Sequence, residues 1–352
     1  MTEPKVESPT PKGYVIGAGF SKSISKHMPL TSELTSEVLS ALRTEDPISV
    51  QTFPISNDVE LLLTYLGESQ PWLDAKVVLK NRAFFLRISE LIAEKIIHFQ
   101  TLAIDEIKKS QDSWPIKFIQ AWMSQPSCVV SLNYDVLIEQ ISTIAKEGFD
   151  YRDLYTTVVA SALSRKGTGM LGKYPQEQSL ILYKLHGSIN WCYSGSESFF
   201  GESIYDVGLI PFSSDSSPAI RNRRSEIERS SNDKVPLIVP PTLHKETFFK
   251  NEFVKTQWRS SFENLSKCDK IFCLGYSLPK SDLMMRFYLS QVLKSPLVKK
   301  LFIVNKNTDT ISNYREAFRD YESKLDFSLV KDGEPIREIF KFSPVAEKKE
   351  LA

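Results

Sequence analysis

The chain has 352 residues, of which 41% are hydrophobic and 25% are charged. These values are typical of soluble globular proteins, and the length fits about two domains or one large α/β domain with an insertion. Its 44 Lys and Arg residues are balanced by 43 Asp and Glu residues, so the net charge of +1 argues against a nucleic acid as partner. The apolar runs are shorter than the about 20 residues of a membrane-spanning helix, and the amino end has no apolar signal region. We therefore expect a cytoplasmic protein without a membrane partner.

The first ordered element is expected at Gly13. Residues 1–12 are polar and contain three prolines, which favours a disordered leader. From Gly13 a short β-type run leads into a turn that carries Gly17 and Gly19. The sequence therefore predicts a strand followed by a glycine-containing loop.

Residues 31–124 show helical periodicity and no convincing strand. Apolar residues recur at helical spacing from Val59 to Leu66 behind the capping residue Asp58, and a longer helix is predicted from about Ala75 to Ile107. The buried face of this longer helix is expected to carry Leu79, Leu86, Ala93 and Ile97. The block is thus expected to be a helical insertion that forms a subdomain or an oligomer surface.

Strands that alternate with helices follow residue 125. The predicted strands are Cys128–Leu132, Leu180–Leu185, Leu237–Val239, Ile271–Leu274 and Leu301–Val304. A series of this kind closes as a parallel sheet with helices on both faces. Residues 194–232 are rich in serine and predict a long surface excursion. The predicted fold class is α/β, with a Rossmann-like parallel sheet and a helical insertion.

The cysteines do not indicate a metal site. Cys128, Cys192, Cys268 and Cys273 are scattered, and they do not form the two close pairs of a four-cysteine zinc site. They are expected to be free thiols, with Cys268 and Cys273 behaving as small apolar residues.

Five predicted strand ends carry unusual residues, and ligands of parallel sheets bind at such ends. The segments are Gly17-Ala18-Gly19-Phe20-Ser21, Asn133-Tyr134-Asp135, His186-Gly187-Ser188, Gly275-Tyr276-Ser277 and Asn305. Each has a plainer interpretation. The glycines could form an ordinary tight turn, since Lys22 stands where a dinucleotide fingerprint has its third glycine. Asn133 or Asp135 could cap the next helix, and His186 could be structural.

The order of these motifs resembles the sirtuin-like fold. More narrowly, it is similar to the bacterial sirtuin-like NAD glycohydrolases of anti-phage defence systems, with Lys184-Leu-His-Gly-Ser188 and Val304-Asn305 among the matching segments. The resemblance covers residues 13–30 and 125–342, and it leaves 31–124 as the insertion and 343–352 as a tail. The protein deacylases of this family carry a four-cysteine zinc ribbon, which these cysteines cannot form. The resemblance thus implies a sirtuin-like fold without the ribbon.

The resemblance also implies roles for individual residues. Asn133 and His186 would be catalytic, with Asp135 nearby. Gly17, Ala18, Gly19 and Ser21, in one loop with Phe20, would hold the phosphates of NAD+; Gly275 and Ser277 would lie on the ribose and phosphate side, and Asn305 at the adenosine ribose. No metal is implied.

The implied activity is hydrolysis of NAD+ to nicotinamide and ADP-ribose, by an effector that depletes NAD+ when triggered. Asn133 would position a ribose hydroxyl or the attacking water, and neutral His186 would act as general base. A homo-oligomer, or a separate sensor or regulatory subunit, would supply the trigger. Two alternatives stay open: a non-catalytic sensor that binds ADP-ribose or a related nucleotide, and an NAD-dependent protein deacylase.

Overall fold

The structure is a computed structural model that describes residues 10–47, 58–68, 70–109, 113–157, 160–161, 179–193, 204–208, 235–239, 249 and 251–341. Within these ranges no helix combines the length and the apolar character needed to cross a membrane.

The strands form two sheets. In chain order they are β1 (Lys12–Ile16), β2 (Ser127–Ser131), β3 (Ala160–Ser161), β4 (Leu180–Lys184), β5 (Gly187–Tyr193), β6 (Tyr205–Asp206), β7 (Val235–Ile238), β8 (Lys270–Leu274), β9 (Lys300–Asn305) and β10 (Leu325–Val330). The larger sheet has the order β10-β9-β8-β1-β2-β4 with every pair parallel, and the smaller has the order β3-β6-β5-β7.

The larger sheet has Rossmann-like topology. The chain builds β1, β2 and β4 toward one edge, and then returns to the other side of β1 to build β8, β9 and β10. The strand order therefore reverses between β1 and β8, the place where open α/β sheets bind ligands. The predicted α/β fold class is confirmed by this sheet and the helices that connect its strands.

Four of the described helices begin after a side chain that caps them. In chain order the helices are α1 (Ala18–Ile24), α2 (Thr31–Glu45), α3 (Val59–Gly67), α4 (Ala75–Lys108), α5 (Trp114–Met123), α6 (Leu137–Ala145), α7 (Glu252–Leu265), α8 (Leu283–Leu293), α9 (Asp309–Ala317) and α10 (Pro335–Lys341). Asp58 accepts hydrogen bonds from the first turn of α3, and Asp74, Asn251 and Asp282 do the same for α4, α7 and α8.

Two hydrophobic clusters divide the molecule. The main cluster surrounds the larger sheet and includes α5 and the last turns of α4. The second cluster joins α2, α3 and the first part of α4 to four residues of the α/β part: Tyr134, Val136, Ile189 and Ile238. The described part of 29–125 is helical throughout its regular elements, in line with the predicted helical block.

The predicted buried face of α4 is partly wrong. Leu79 is 62% exposed, whereas Phe85, Ile88 and Ile92 are buried. Leu79 is exposed because it lies in the first turns of α4, where residues 74–80 are exposed except for the half-buried Val78. Ala93 is buried as predicted, and Leu86 and Ile97 are half-buried and pack against the hydrophobic clusters.

Two strand predictions change in detail. The predicted strand Leu237–Val239 corresponds to β7, which belongs to the smaller sheet and pairs antiparallel with β5. The strands β5 and β10 were not predicted from the sequence. All four cysteines are free and buried, as expected for Cys268 and Cys273. The predicted excursion 194–232 lies outside the described residues except for 204–208.

Candidate functional site

The five unusual segments lie at the carboxyl ends of the strands of the larger sheet, along the side that we call its carboxyl edge. They follow β1, β2, β4, β8 and β9, which are neighbours in a parallel arrangement, so their carboxyl ends face the same way. The carboxyl edge includes the point of strand-order reversal between β1 and β8. It is therefore the place where a ligand of this fold is expected.

The glycines after β1 pack against the loop after β8. A Cβ atom on Gly19 would lie 2.8 Å from the carbonyl oxygen of Gly275, and one on Gly17 would lie 2.9 Å from the same oxygen. Gly275 itself has a φ of 60°, and its Cβ would lie 2.3 Å from the carbonyl carbon of Gly19. Close contact between two backbones thus accounts for all three glycines.

Three amides of the first loop are already hydrogen-bonded within the protein. Gly17 N donates to Leu274 O at 3.1 Å, Gly19 N donates to Gly275 O at 3.0 Å, and Phe20 N donates to Gly17 O at 2.9 Å. In this conformation these three N–H groups are not directed at a phosphate. These hydrogen bonds are those of an ordinary tight turn. Ala18, one of the predicted phosphate-binding residues, is the first residue of the short helix α1.

Phe20 is a core residue. Its ring is 1% exposed and stacks on Trp122, with the ring centroids 5.6 Å apart. The predicted place of Phe20 in the ligand site therefore does not extend to its side chain, which anchors the loop to α5.

Asn133, Ser21 and Asp135 form one hydrogen-bonded chain. Asn133 Nδ2 donates to Gly17 O at 3.0 Å and to Ser21 Oγ at 2.9 Å. Ser21 Oγ in turn donates to Asp135 Oδ2 at 2.7 Å, and Asp135 Oδ1 accepts from Leu137 N at 3.1 Å. The structure thus brings three predicted site residues together, and it also gives Asp135 the helix-terminus bond of the plainer interpretation. These bonds use the carboxamide nitrogen of Asn133 and leave its oxygen out.

His186 follows β4 by two residues, just as Asn133 follows the neighbouring strand β2 by two residues. Ser131 of β2 is paired with Lys184 of β4, so Asn133 and His186 each stand two residues beyond one register pair. His186 is 3% exposed, and its ring centroid lies 6.5 Å from that of Tyr134. The main chains of the two predicted catalytic residues therefore follow neighbouring strands at the same level beyond their carboxyl ends.

A sharp change of direction follows His186. Gly187 has a φ of 84°, and a Cβ there would lie 2.0 Å from Leu237 O. His186 O accepts a hydrogen bond from Val239 N at 2.8 Å. His186 thus occupies the corner where the chain passes from the larger sheet into the smaller one.

Tyr134 was not singled out from the sequence, although it stands between Asn133 and Asp135. Its hydroxyl is buried and has no hydrogen-bond partner among the described residues. Burial raises the pKa of Tyr134 well above its usual value, and the nearby carboxylates of Glu60, Asp282 and Asp58 raise it further. The sequence offered one sign of this residue: a large side chain with a hydroxyl stands between Asn133 and Asp135.

The ends of β8 and β9 present more accessible groups. Ser277 is exposed, and its carbonyl oxygen accepts from Asn313 Nδ2 at 3.0 Å. Asn305 is half-buried, and its Oδ1 accepts from Asn307 N at 3.1 Å. The next residue after Ser277, Leu278, is buried with a φ of 50°. A leucine in the left-handed region is strained, and such strain is common beside functional sites.

The described residues hold no group of three or more His, Cys, Asp and Glu side chains that could bind a metal ion. The side chains at the carboxyl ends of the strands include the imidazole of His186, the carboxamide of Asn133, the carboxylate of Asp135 and the hydroxyl of Ser277.

Comparisons with known proteins give a distant structural similarity. No protein-family model matches the chain, and no curated protein matches it. Among solved structures, the chain is similar to Sir2 in complex with the inhibitor EX-527, 2'-O-acetyl-ADP-ribose and a deacetylated p53 peptide. The two are 13% identical over 97% of this chain and 95% of the other, with a TM-score of 0.36. By the strand order of its own larger sheet, the chain is an α/β protein with a Rossmann-like fold.

Proposed function

We propose that the chain is an NAD+ glycohydrolase that cleaves the bond between nicotinamide and ribose and releases nicotinamide and ADP-ribose. The observation that carries the proposal is that Asn133 and His186 each stand two residues beyond the register pair Ser131–Lys184, at the carboxyl ends of adjacent strands and on the same side of the sheet as the strand-order reversal. The order of the five motifs, which resembles that of the sirtuin-like NAD glycohydrolases, supports the same activity.

The reaction makes modest demands on the protein. Nicotinamide leaves as a neutral molecule, so no acid is needed for the leaving group, and positive charge spreads onto the ribose as in glycoside hydrolysis generally. The protein has to orient the sugar, stabilise its charge and deliver water. His186 accepts the proton of that water. The Asn133 oxygen, which is outside the loop hydrogen bonds, accepts from the water or from a ribose hydroxyl.

Asp135 contributes charge rather than proton transfer. Its carboxylate already accepts from Ser21 Oγ and from Leu137 N, which leaves it oriented beside Asn133. A fixed negative charge beside Asn133 stabilises a cationic ribose that is bound there. The exposed Ser277 would lie on the ribose and phosphate side of NAD+, and the half-buried Asn305 at its adenosine ribose.

The direct test follows nicotinamide release from NAD+ by the purified full chain. His186→Ala and Asn133→Ala are expected to abolish release, and His98→Ala, which removes an exposed histidine of α4, is the matched control and is expected to leave it unchanged. Melting curves establish that each variant folds. Full activity in both folded site variants would contradict the assignment.

We further propose that the enzyme is a cytoplasmic anti-phage effector that is activated by self-association or by a sensor subunit. The helical insertion supports this, since Trp72 is 76% exposed and Leu79 is 62% exposed there. Large exposed apolar side chains favour a protein partner. A fall of cellular NAD+ on infection, lost in the His186→Ala variant, is the expected outcome.

A non-catalytic nucleotide sensor is the second candidate. It is favoured by the commitment of Asn133 Nδ2 and Ser21 Oγ to loop-to-loop bonds, which is a holding role. Calorimetry distinguishes the two. A sensor binds ADP-ribose without turning over NAD+ under any activating condition, whereas the glycohydrolase consumes NAD+.

A further inference from the structure

A buried ion pair lies beneath the candidate site. Lys184 Nζ and Glu139 Oε1 are 3.2 Å apart, and both side chains are 1% exposed. Lys184 is the last residue of β4, and Glu139 lies in the first turn of α6. Neither residue has a role in the proposed reaction.

Lys184 also holds the turn that carries the carboxamide. Its Nζ donates to the main-chain oxygen of Asp135, two residues after Asn133. Lys184 itself precedes His186 by two residues. One ammonium group therefore ties the Asn133-Tyr134-Asp135 turn to the strand that delivers the imidazole.

Glu139 is fixed in turn by groups on the far side of His186. Its Oε1 accepts from Tyr155 Oη at 2.8 Å, and this hydroxyl is 3.4 Å from the donor Asn190 Nδ2. Asn190 Oδ1 accepts from Ser188 Oγ at 2.5 Å, and Asn190 Nδ2 also donates to Asp206 Oδ1 at 3.2 Å. Ser188 and Asn190 belong to β5, the strand that follows His186. The network therefore includes Lys184 before His186, and Ser188 and Asn190 after it.

Stability is a poor reason for such an arrangement. Taking two charges out of water costs several kcal/mol, and replacing a buried ion pair by uncharged residues is often neutral or stabilising. Burial raises the pKa of Glu139 even though Lys184 lies beside it. An arrangement that gains little stability but fixes two turns in space is suited to positioning.

We propose that Lys184, held by Glu139 and Tyr155, is a positioning residue that sets the relative placement of Asn133 and His186. This inference rests on the proposed function for its kinetic consequence, but the placement itself is a property of the fold. Lys184 is buried behind the turn and acts through its bond to Asp135 O and through its place in β4.

The test uses the double variant Lys184→Met with Glu139→Gln in the full chain. It removes both charges and keeps an oxygen that can accept from Tyr155 Oη. The matched control is Lys255→Met with Glu252→Gln, which removes an exposed pair with a separation of 2.8 Å. The site variant is expected to fold but to melt below the wild type, because Asp135 O loses its donor. It is expected to lose up to about 10²-fold in kcat, the scale of a misplacement of about 1 Å, with KM little changed. The control variant keeps full activity.

A second readout does not depend on activity. The chain has four histidines, so ring signals in a histidine-labelled sample can be assigned by single substitutions, including His186→Ala. The double variant is expected to shift the signal of His186 and to leave that of His98 in place. An unmoved His186 signal overturns the positioning role, whether or not the wild type hydrolyses NAD+. A shifted signal together with a wild type that does not turn over NAD+ under any activating condition supports positioning and rejects the proposed function. If the double variant does not fold, Tyr155→Phe removes only the hydroxyl that orients Glu139 and is judged by the same signals.

Discussion

Asn133 Nδ2 lies 3.0 Å from Gly17 O, and this bond joins the turn after β2 to the loop after β1. Because Gly17 O can only accept, the bond also fixes which way the carboxamide is turned. The oxygen of Asn133 then points away from the loop bond. A residue proposed for catalysis is thus oriented by the same loop that was predicted to bind phosphate.

Asn133→Ala is expected to lower stability as well as activity. The substitution breaks the buried bonds to Gly17 O and Ser21 Oγ, and leaving buried partners unsatisfied costs about 1–3 kcal/mol. Urea denaturation measures the loss. An Asn133→Ala protein as stable as the wild type would show that these bonds do not hold the two loops together.

Gly275→Ala is expected to destabilise the protein more than Gly148→Ala. Both glycines have positive φ, 60° and 72°, so both substitutions carry the left-handed penalty of about 1–2 kcal/mol. Only Gly275 faces another backbone, since a Cβ on Gly148 meets nothing within 4 Å. The difference in unfolding free energy between the two variants therefore reports the contact between the loops. Equal losses would mean that the loops yield without cost.

Tyr134→Phe is expected to stabilise the free protein by about 1 kcal/mol, because it removes a buried hydroxyl that lacks a partner. Tyr276→Phe is the matched control. Its hydroxyl donates to Asp282 Oδ2 at 2.6 Å, so its loss is expected to lower the melting temperature. If both variants lose stability to the same degree, the hydroxyl of Tyr134 has a partner in solution.

The capping contact of α2 gives a pH dependence with a definite sign. Glu33 Oε2 accepts from Leu30 N at 2.7 Å, and this bond, together with Lys22, lowers the pKa of Glu33 below its usual value of 4.5. A carboxylate with a lowered folded-state pKa stabilises the protein above its unfolded-state pKa, and the stabilisation is lost as the pH falls through the folded-state pKa. Wild type and Glu33→Gln should therefore differ by about 0.5 kcal/mol at pH 7 and converge as the pH falls through the lowered folded-state pKa of Glu33. Unfolding free energies at several pH values check this, and a difference that persists in acid would contradict it.

Trp72→Glu with Leu79→Glu is expected to weaken any self-association without lowering stability. Both side chains are largely exposed, so neither charge enters the core. Light scattering compares the molecular mass of the two proteins, and Phe287→Glu, which changes an apolar residue 58% exposed on α8, is the control. A mass unaffected by the pair, in a wild type that associates, places the contact elsewhere.

The larger sheet was predictable because its inner strands are nearly continuous apolar runs. Val129 and Val130 of β2 are both fully buried, which is the pattern of a parallel strand covered on both faces. The strand β5 escaped prediction for the opposite reason. Ser188 and Asn190 are buried polar residues of β5 that bond to each other, and Asn190 also donates to Asp206 of another strand, β6. Sequence periodicity carries no sign of such partners.

The convergence of the site was also accessible from sequence, since neighbouring parallel strands end at one edge. The hydrogen bonds and ring contacts of the individual side chains could not be predicted from sequence. Phe20 was placed with the ligand-binding loop, but its ring is held by Trp122, a residue far along the chain. Lys184 was quoted as part of a motif, and only the structure reveals its bond to Asp135 O.

The corner at Gly187 has a consequence for how the imidazole can be moved. His186 O accepts from Val239 N, the residue after β7, while Lys184, two residues before His186, is paired with β2. A tilt of the smaller sheet would therefore move the ring relative to Asn133 even if Lys184 stayed in place. The position of this ring thus depends on the smaller sheet as well as on the larger one.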